Sequence, residues 1–152
     1  MKGVIMGCDI HVYIERKIED QDKWENVSLY RVRDNNIEVV DPYDGRNYEL
    51  FSILAGVRGW QEPLIDPRGF PGGMNTKTVR EVERWDGDYH TPTWYDLFEL
   101  NMFAEKYKDN EDYQSFIFFV DCINTYVEYA MFFYWRDLVK PNQYRVIMFF
   151  DN

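Results

Sequence analysis

Between Asp112 and Trp135 the chain sets Phe116, Phe119, Val120, Ile123, Val127, Ala130 and Met131 at helical spacing, while Phe118, Cys122, Tyr126, Phe132 and Phe133 make most of the remaining surface apolar too. A helix that apolar has to be covered on several sides, so the fold must be built around it. Asp121 and Glu128 argue against a membrane span, and no charge-free apolar run of about 18 residues occurs anywhere in the chain.

Its cover is predicted to be a sheet. From Gly7 to Ile18 the residues alternate, with Cys8, Ile10, Val12 and Ile14 facing one way and Asp9, His11, Tyr13 and Glu15 the other. The polar turn Glu19 to Lys23 leads to a second strand over Trp24–Val32, and a third short strand is expected over Ile37–Val40. Tyr144–Phe150 is β-branched and aromatic enough to be a last strand that returns beside the first. Between them, Asn47 precedes a helical run through Leu50, Phe51, Leu54 and Val57. Asn75 or Thr76 caps a short helix to Arg84, and Thr93 with Asp96 three positions on reads as the capping box of a third. The expected fold class is α+β, a mainly antiparallel sheet (N-terminal hairpin plus C-terminal strand) packed with about four helices on one face. At 152 residues and 45% hydrophobic content, it forms a single domain over 1–152.

A net charge of −10 argues against direct binding to a nucleic-acid backbone, because such binding depends on Lys and Arg neutralising phosphates. It suits attraction of cations or an acidic surface turned toward a basic partner. Cys8 and Cys122 match no paired metal spacing, and Cys8 falls on the apolar strand face as an inert thiol. The phosphate-loop, serine-elbow and dinucleotide glycine motifs are all absent.

Both histidines of the chain follow an aspartate by two residues, in Asp9-Ile10-His11 and Asp88-Tyr89-His90. If both tripeptides are extended, each carboxylate and imidazole share a face and could grip one divalent cation. Asp9, His11, Asp88 and His90, joined by Asp86 or Asp151, form a mixed oxygen and nitrogen set that suits Mn, Fe or Zn. His90, just ahead of the helix expected from Thr93, would be kept neutral by the helix dipole. The alternative is that Asp9 and His11 lie on a solvated strand face, Asp88 caps a turn and His90 is ordinary surface. Around the metal, Glu15 is a candidate general base or outer ligand. Arg68, with Arg46 and Arg58, is a candidate anchor for phosphate, and Trp85 and Trp94, with Trp60 and Phe70, are candidate stacking surfaces for a base. For each of these the competing reading is an exposed strand glutamate, solvated loop arginines or core aromatics.

The segments Met6-Gly7-Cys8-Asp9-Ile10-His11, Arg46-Asn47-Tyr48-Glu49-Leu50-Phe51, Pro67-Arg68-Gly69-Phe70-Pro71, Asp88-Tyr89-His90-Thr91-Pro92-Thr93-Trp94 and Phe150-Asp151-Asn152 together resemble a family of small proteins from tailed bacteriophages and some bacteria. The resemblance implies action in the host cytoplasm and lends no catalytic residues, but it draws attention to Asp9, His11, Arg46, Arg68, Asp88, His90 and Asp151. The Asp-x-His start is also similar to the first motif of calcineurin-like metallophosphoesterases, whose GDxxD and GNH motifs this chain lacks, so that likeness is one of ligand chemistry alone. The expected function is metal-supported hydrolysis or binding of a small phosphorylated, nucleotide-like ligand during phage infection. The alternative is a non-enzymatic acidic protein that engages a host protein or phage-assembly partner, and neither reading involves a membrane.

Overall fold

The alternation over Asp9–Ile18 forms the first strand, β1, and its register decides the rest. In the computed structural model, which describes residues 7–18, 22–59, 61–134 and 143–152, β1 is followed by β2 (Lys23–Val27), β3 (Leu29–Arg33), β4 (Asn36–Val40), α1 (Tyr48–Ala55), α2 (Thr76–Glu83), β5 (His90–Asp96) and α3 (Leu97–Tyr107). A short 3-10 turn at Glu111–Tyr113 precedes α4 (Gln114–Tyr134), and β6 (Tyr144–Asp151) ends the series. Glu19, Asp20 and Gln21 of the expected hairpin turn, and also Trp60, Trp135 and Pro141, lie outside the described residues.

The main sheet is antiparallel with order β2-β1-β6-β5, and β3 and β4 form a separate hairpin. As expected for an α+β fold, the last strand lies beside the first, with Asp9 opposite Asp151 and Arg16 opposite Tyr144. Ile10, Val12 and Ile14 of β1 join Val146, Met148 and Phe150 of β6 and Tyr95 of β5 on one face. There they pack with Leu50, Phe51 and Leu54 of α1, Leu100 of α3, and Phe116, Phe119 and Ile123 of α4. Removing one of these buried phenylalanine rings costs about 3–5 kcal/mol. β6 is buried from Tyr144 to Phe150 on both faces, as its apolar run from Val146 to Phe150 requires, with Arg145 buried as one member of an ion pair.

The second face carries Asp9, His11, Tyr13 and Glu15 beside Arg145, Phe149 and Asp151. α2 lies over this face rather than with the other three helices. Asn26, opposite Glu15 in the ladder, donates from Nδ2 to Thr78 Oγ1 at 3.0 Å, and the N–H of Asn75 at the α2 N-cap donates to Glu15 Oε2 at 2.7 Å.

Two local expectations shift. Trp24–Val32 is not one strand: it breaks at Ser28, where β2 leaves the sheet and Leu29 begins a hairpin with β4, closed by Asp34 and Asn35 at positive φ. Thr91–Asp96 is not a helix start but strand β5, with Trp94 opposite Ile147 and Tyr95 opposite Val146. α3 begins instead after Asp96, whose N–H donates to Glu99 Oε1 at 2.9 Å in a capping box. His90 therefore starts a strand and does not face a helix N-terminus.

Candidate functional site

β1 and β5 flank β6, so His11 and His90 approach its end from opposite sides. His11 Nε2 lies 2.5 Å from Asp151 Oδ2, and its ring sits between Trp85, 4.0 Å away centroid to centroid, and Phe149 at 5.1 Å. His90 stands opposite Phe150 and stacks on it at 6.2 Å; its Nδ1 is 2.8 Å from Thr91 Oγ1 and its Nε2 3.3 Å from Asn152 Oδ1. Phe149 and Phe150 are consecutive strand residues and point to opposite faces, so the two imidazoles lie on opposite faces of the sheet. The strands that carry them are two ladder spacings apart, roughly 10 Å.

The expected four-ligand metal centre does not fit this arrangement. Asp9 does share a face with His11, but Arg46 holds it, with Nε at 3.0 Å and Nη2 at 2.7 Å from Oδ1. Asp88 lies in the turn after α2, its N–H donating to the Trp85 carbonyl at 2.7 Å, so the second tripeptide is not extended as period-two geometry requires. Among the described residues, no three His, Cys, Asp or Glu side chains stand together as a metal-binding group. Asp86 is part of the same turn, at φ 46°.

The charged residues expected to serve a phosphate are engaged elsewhere. Glu15 is fully buried and takes Arg145 Nε at 3.0 Å and Nη2 at 2.7 Å on Oε1, with Trp24 stacked 3.9 Å from the guanidinium. A carboxylate so occupied is a structural ion pair, not a base facing substrate. Arg68 forks onto Glu99 at 2.7 and 2.6 Å and lies 4.6 Å over the Trp94 ring, so Trp94 covers an arginine rather than a ligand. The fork holds the Glu99 carboxyl below its usual range and raises the guanidinium. With Gly69 N–H on the Pro92 carbonyl, it ties the Pro67-Arg68-Gly69 segment to β5. Arg58 sits 4.8 Å over Tyr48 and hydrogen-bonds the buried Cys8 thiol, which burial pushes up.

A recess does form at this end of the sheet. Trp85, Gly87, Asp88, Tyr89, His90, Asp151 and Asn152 enclose about 510 Å³. Two carboxylates and two aromatic walls line it, with no Lys or Arg among the lining residues. Among the described residues, five non-glycines have positive φ; Asp34 and Asn35 make the hairpin turn, and the others are Arg58, Asp86 and Thr91. Thr91 is β-branched, for which φ of 53° costs about 1–3 kcal/mol, and its hydroxyl meets His90. Strain of this kind concentrates where a site needs a fixed geometry.

Comparison of the chain with models of known protein families, with curated proteins and with solved structures gives no match. Within the molecule, residues far apart in the sequence meet around this end of the sheet. Asp9 and His11 adjoin Arg46 and Asp151, Gly69 and Phe70 bond Pro92 and pack on Tyr89, and His90 reaches Asn152. Asp151 is thus brought to His11 and to the recess beside Asp88 and His90, while Asp9, Arg46, Arg58, Arg68, Trp94 and Glu15 are not among the lining residues. Tyr89, Thr91 and Asn152 escaped sequence reasoning. Only Asn152 had a signal, since the expected pairing of first and last strands puts it next to the residue facing Asp9.

Proposed function

We propose that the protein is a non-enzymatic binding protein whose acidic, aromatic-walled recess takes a cationic segment of a protein partner. The observation that carries this reading is the lining itself. Asp88 and Asp151 beside Trp85 and Tyr89, with no basic residue in the wall, form a complement for a Lys or Arg side chain through charge and cation–π attraction. The same surface repels a phosphate, and Arg46 and Arg68 are already neutralised by Asp9 and Glu99. The resemblance to tailed-phage proteins makes the infected host cell the setting and a host or phage-assembly protein the partner. No helix among the described residues is long and apolar enough to cross a membrane.

The test is an NMR titration of the labelled chain with tetra-arginine, tetra-lysine and tetra-glutamate peptides at low salt. Cationic peptides are expected to shift the Trp85 indole, His90 and Asn152 signals, and Asp88→Asn and Asp151→Asn to abolish those shifts. Shifts spread evenly over the surface and unchanged in both variants would overturn the reading.

One observation supports hydrolysis of a small phosphorylated ligand as a second reading. An imidazole 2.5 Å from a carboxylate, as in His11 and Asp151, is the arrangement of a general base. Phosphate release from nucleotides or phosphoesters, with and without added Mn²⁺, that disappears in His11→Ala and Asp151→Asn would establish it. Its absence leaves the binding reading alone.

A further inference from the structure

A second cavity, of about 310 Å³, shares no lining residue with that recess and lies between β1, the root of the β3–β4 hairpin and α2. Its origin is topological. β2 pairs with β1 only from Ile14 to Ile18, so the stretch of β1 before Ile14 has no strand beside it on that edge among the described residues, and the break at Ser28 carries the hairpin away. Val12, Val39 and Val40 give the cavity an apolar wall, and Tyr13, Asp41 and Lys77 bring polar groups to it.

The charges of the lining do not cancel locally. Arg84 is bound to Glu81 at 3.0 Å, a pair that is neutral as a whole although Glu81 still acts on Tyr13 and Asp41. Among the described residues, the Lys77 ammonium bonds only a neutral group, the Tyr30 hydroxyl, whose ring lies 4.7 Å from it. Asp41 has no hydrogen bond or ion pair among the described residues, and burial next to Asp44 pushes its carboxyl up. The Tyr13 hydroxyl, pushed up to about 12 chiefly by burial, keeps its proton at neutral pH and can donate it. An unpaired carboxylate on the hairpin side and an ammonium on the helix side, with an apolar wall between, are complementary to a molecule that carries both charges and an aliphatic body.

We propose that this cavity binds a small zwitterion with an apolar side chain, of the α-amino acid class. The ligand's ammonium meets Asp41, its carboxylate meets Lys77 and the Tyr13 hydroxyl, and its side chain packs on Val12, Val39 and Val40. The proposal does not rest on the reading given to the recess at the end of the sheet, although Trp85, which lines that recess, also acts on Tyr13.

The test is calorimetric and NMR titration of the full chain with L-leucine. Two analogues each lack one charge: 3-methylbutylamine has no carboxylate, and 4-methylpentanoate has no ammonium. Leucine is expected to bind and to shift the Val12, Val39 and Val40 signals, with each analogue weaker by at least about tenfold. Asp41→Asn and Lys77→Gln, both at the cavity mouth, are expected to weaken leucine by a similar factor while far-UV circular dichroism stays native. The proposal is overturned if leucine leaves those signals unmoved up to about 10 mM. Binding of either analogue as tightly as leucine, or unchanged leucine affinity in both variants, overturns it equally.

Discussion

Asp151 Oδ2 lies 2.5 Å from His11 Nε2 across the β1–β6 ladder, while His90, on the far side of β6, reaches Asn152 instead. The last residue of β6 and the one that follows it thus serve two histidines on opposite faces. The two sites should act independently: His11→Ala and His90→Ala are expected to destabilise additively, with a coupling energy under about 0.5 kcal/mol in a double-mutant cycle followed by urea unfolding. Chelators should leave the midpoint unchanged. A single cation bridging both histidines would instead give strong coupling and a chelator-sensitive transition.

Glu15 and Arg145 form a buried pair closed by Asn75 and Trp24. Removing one partner strands the other charge in the interior, so Glu15→Ala is expected to cost about 3–5 kcal/mol. Replacing both by methionine should recover most of that loss, because it removes two desolvation penalties together. Denaturant midpoints of the single and double variants decide the matter. A double variant no more stable than Glu15→Ala would mean that the pair does more than neutralise itself.

What the sequence revealed and what it hid divide along range. The alternation in β1, the Asn47 cap of α1, the apolar helix α4 and the apolar run of β6 are local patterns, and each formed its element. The break at Ser28 could not be read, since β2 and β3 are equally suited to strand. Thr93-x-x-Asp96 and Asp96-x-x-Glu99 are similar capping signals, and the choice fell to pairing of Trp94 and Tyr95 with β6, some fifty residues on. The grouping of the candidate site residues was hidden for the same reason. Aspartate before histidine is visible locally, but which carboxylate faces which arginine, as in Arg46 with Asp9 or Arg68 with Glu99, is decided by the assembled fold.

Tyr126 shows how a distant residue makes such a break. Its hydroxyl accepts the Leu29 N–H at 2.7 Å and donates to the Val40 carbonyl at 2.8 Å, pinning the root of a hairpin whose Tyr30, Val32, Ile37 and Val39 are all exposed. Tyr126→Phe keeps the ring and loses both bonds, so it is expected to cost about 1–3 kcal/mol. Amide exchange in β3 and β4 should accelerate while that in β1 and β6 stays protected. Uniform acceleration across both sheets would show that the hairpin opens only with the whole fold.

The Arg68 fork on Glu99 gives the acid limb of stability a definite sign. Hydrogen bonding from Arg68 holds the Glu99 carboxyl below its ordinary 4.5, so its contribution is complete above that value and is lost as pH falls through the lower folded one. Asp96 and Asp41 run the other way, because burial raises both and protonation relieves them. Glu99→Gln keeps an acceptor for the Asp96 N–H but loses the charge. The wild-type advantage over this variant is therefore expected to be constant from about pH 7 to 5.5 and to shrink below about pH 4.5. Urea midpoints of the two proteins across that range test it, and a gap that holds constant down to about pH 3 would mean that the fork contributes geometry rather than charge.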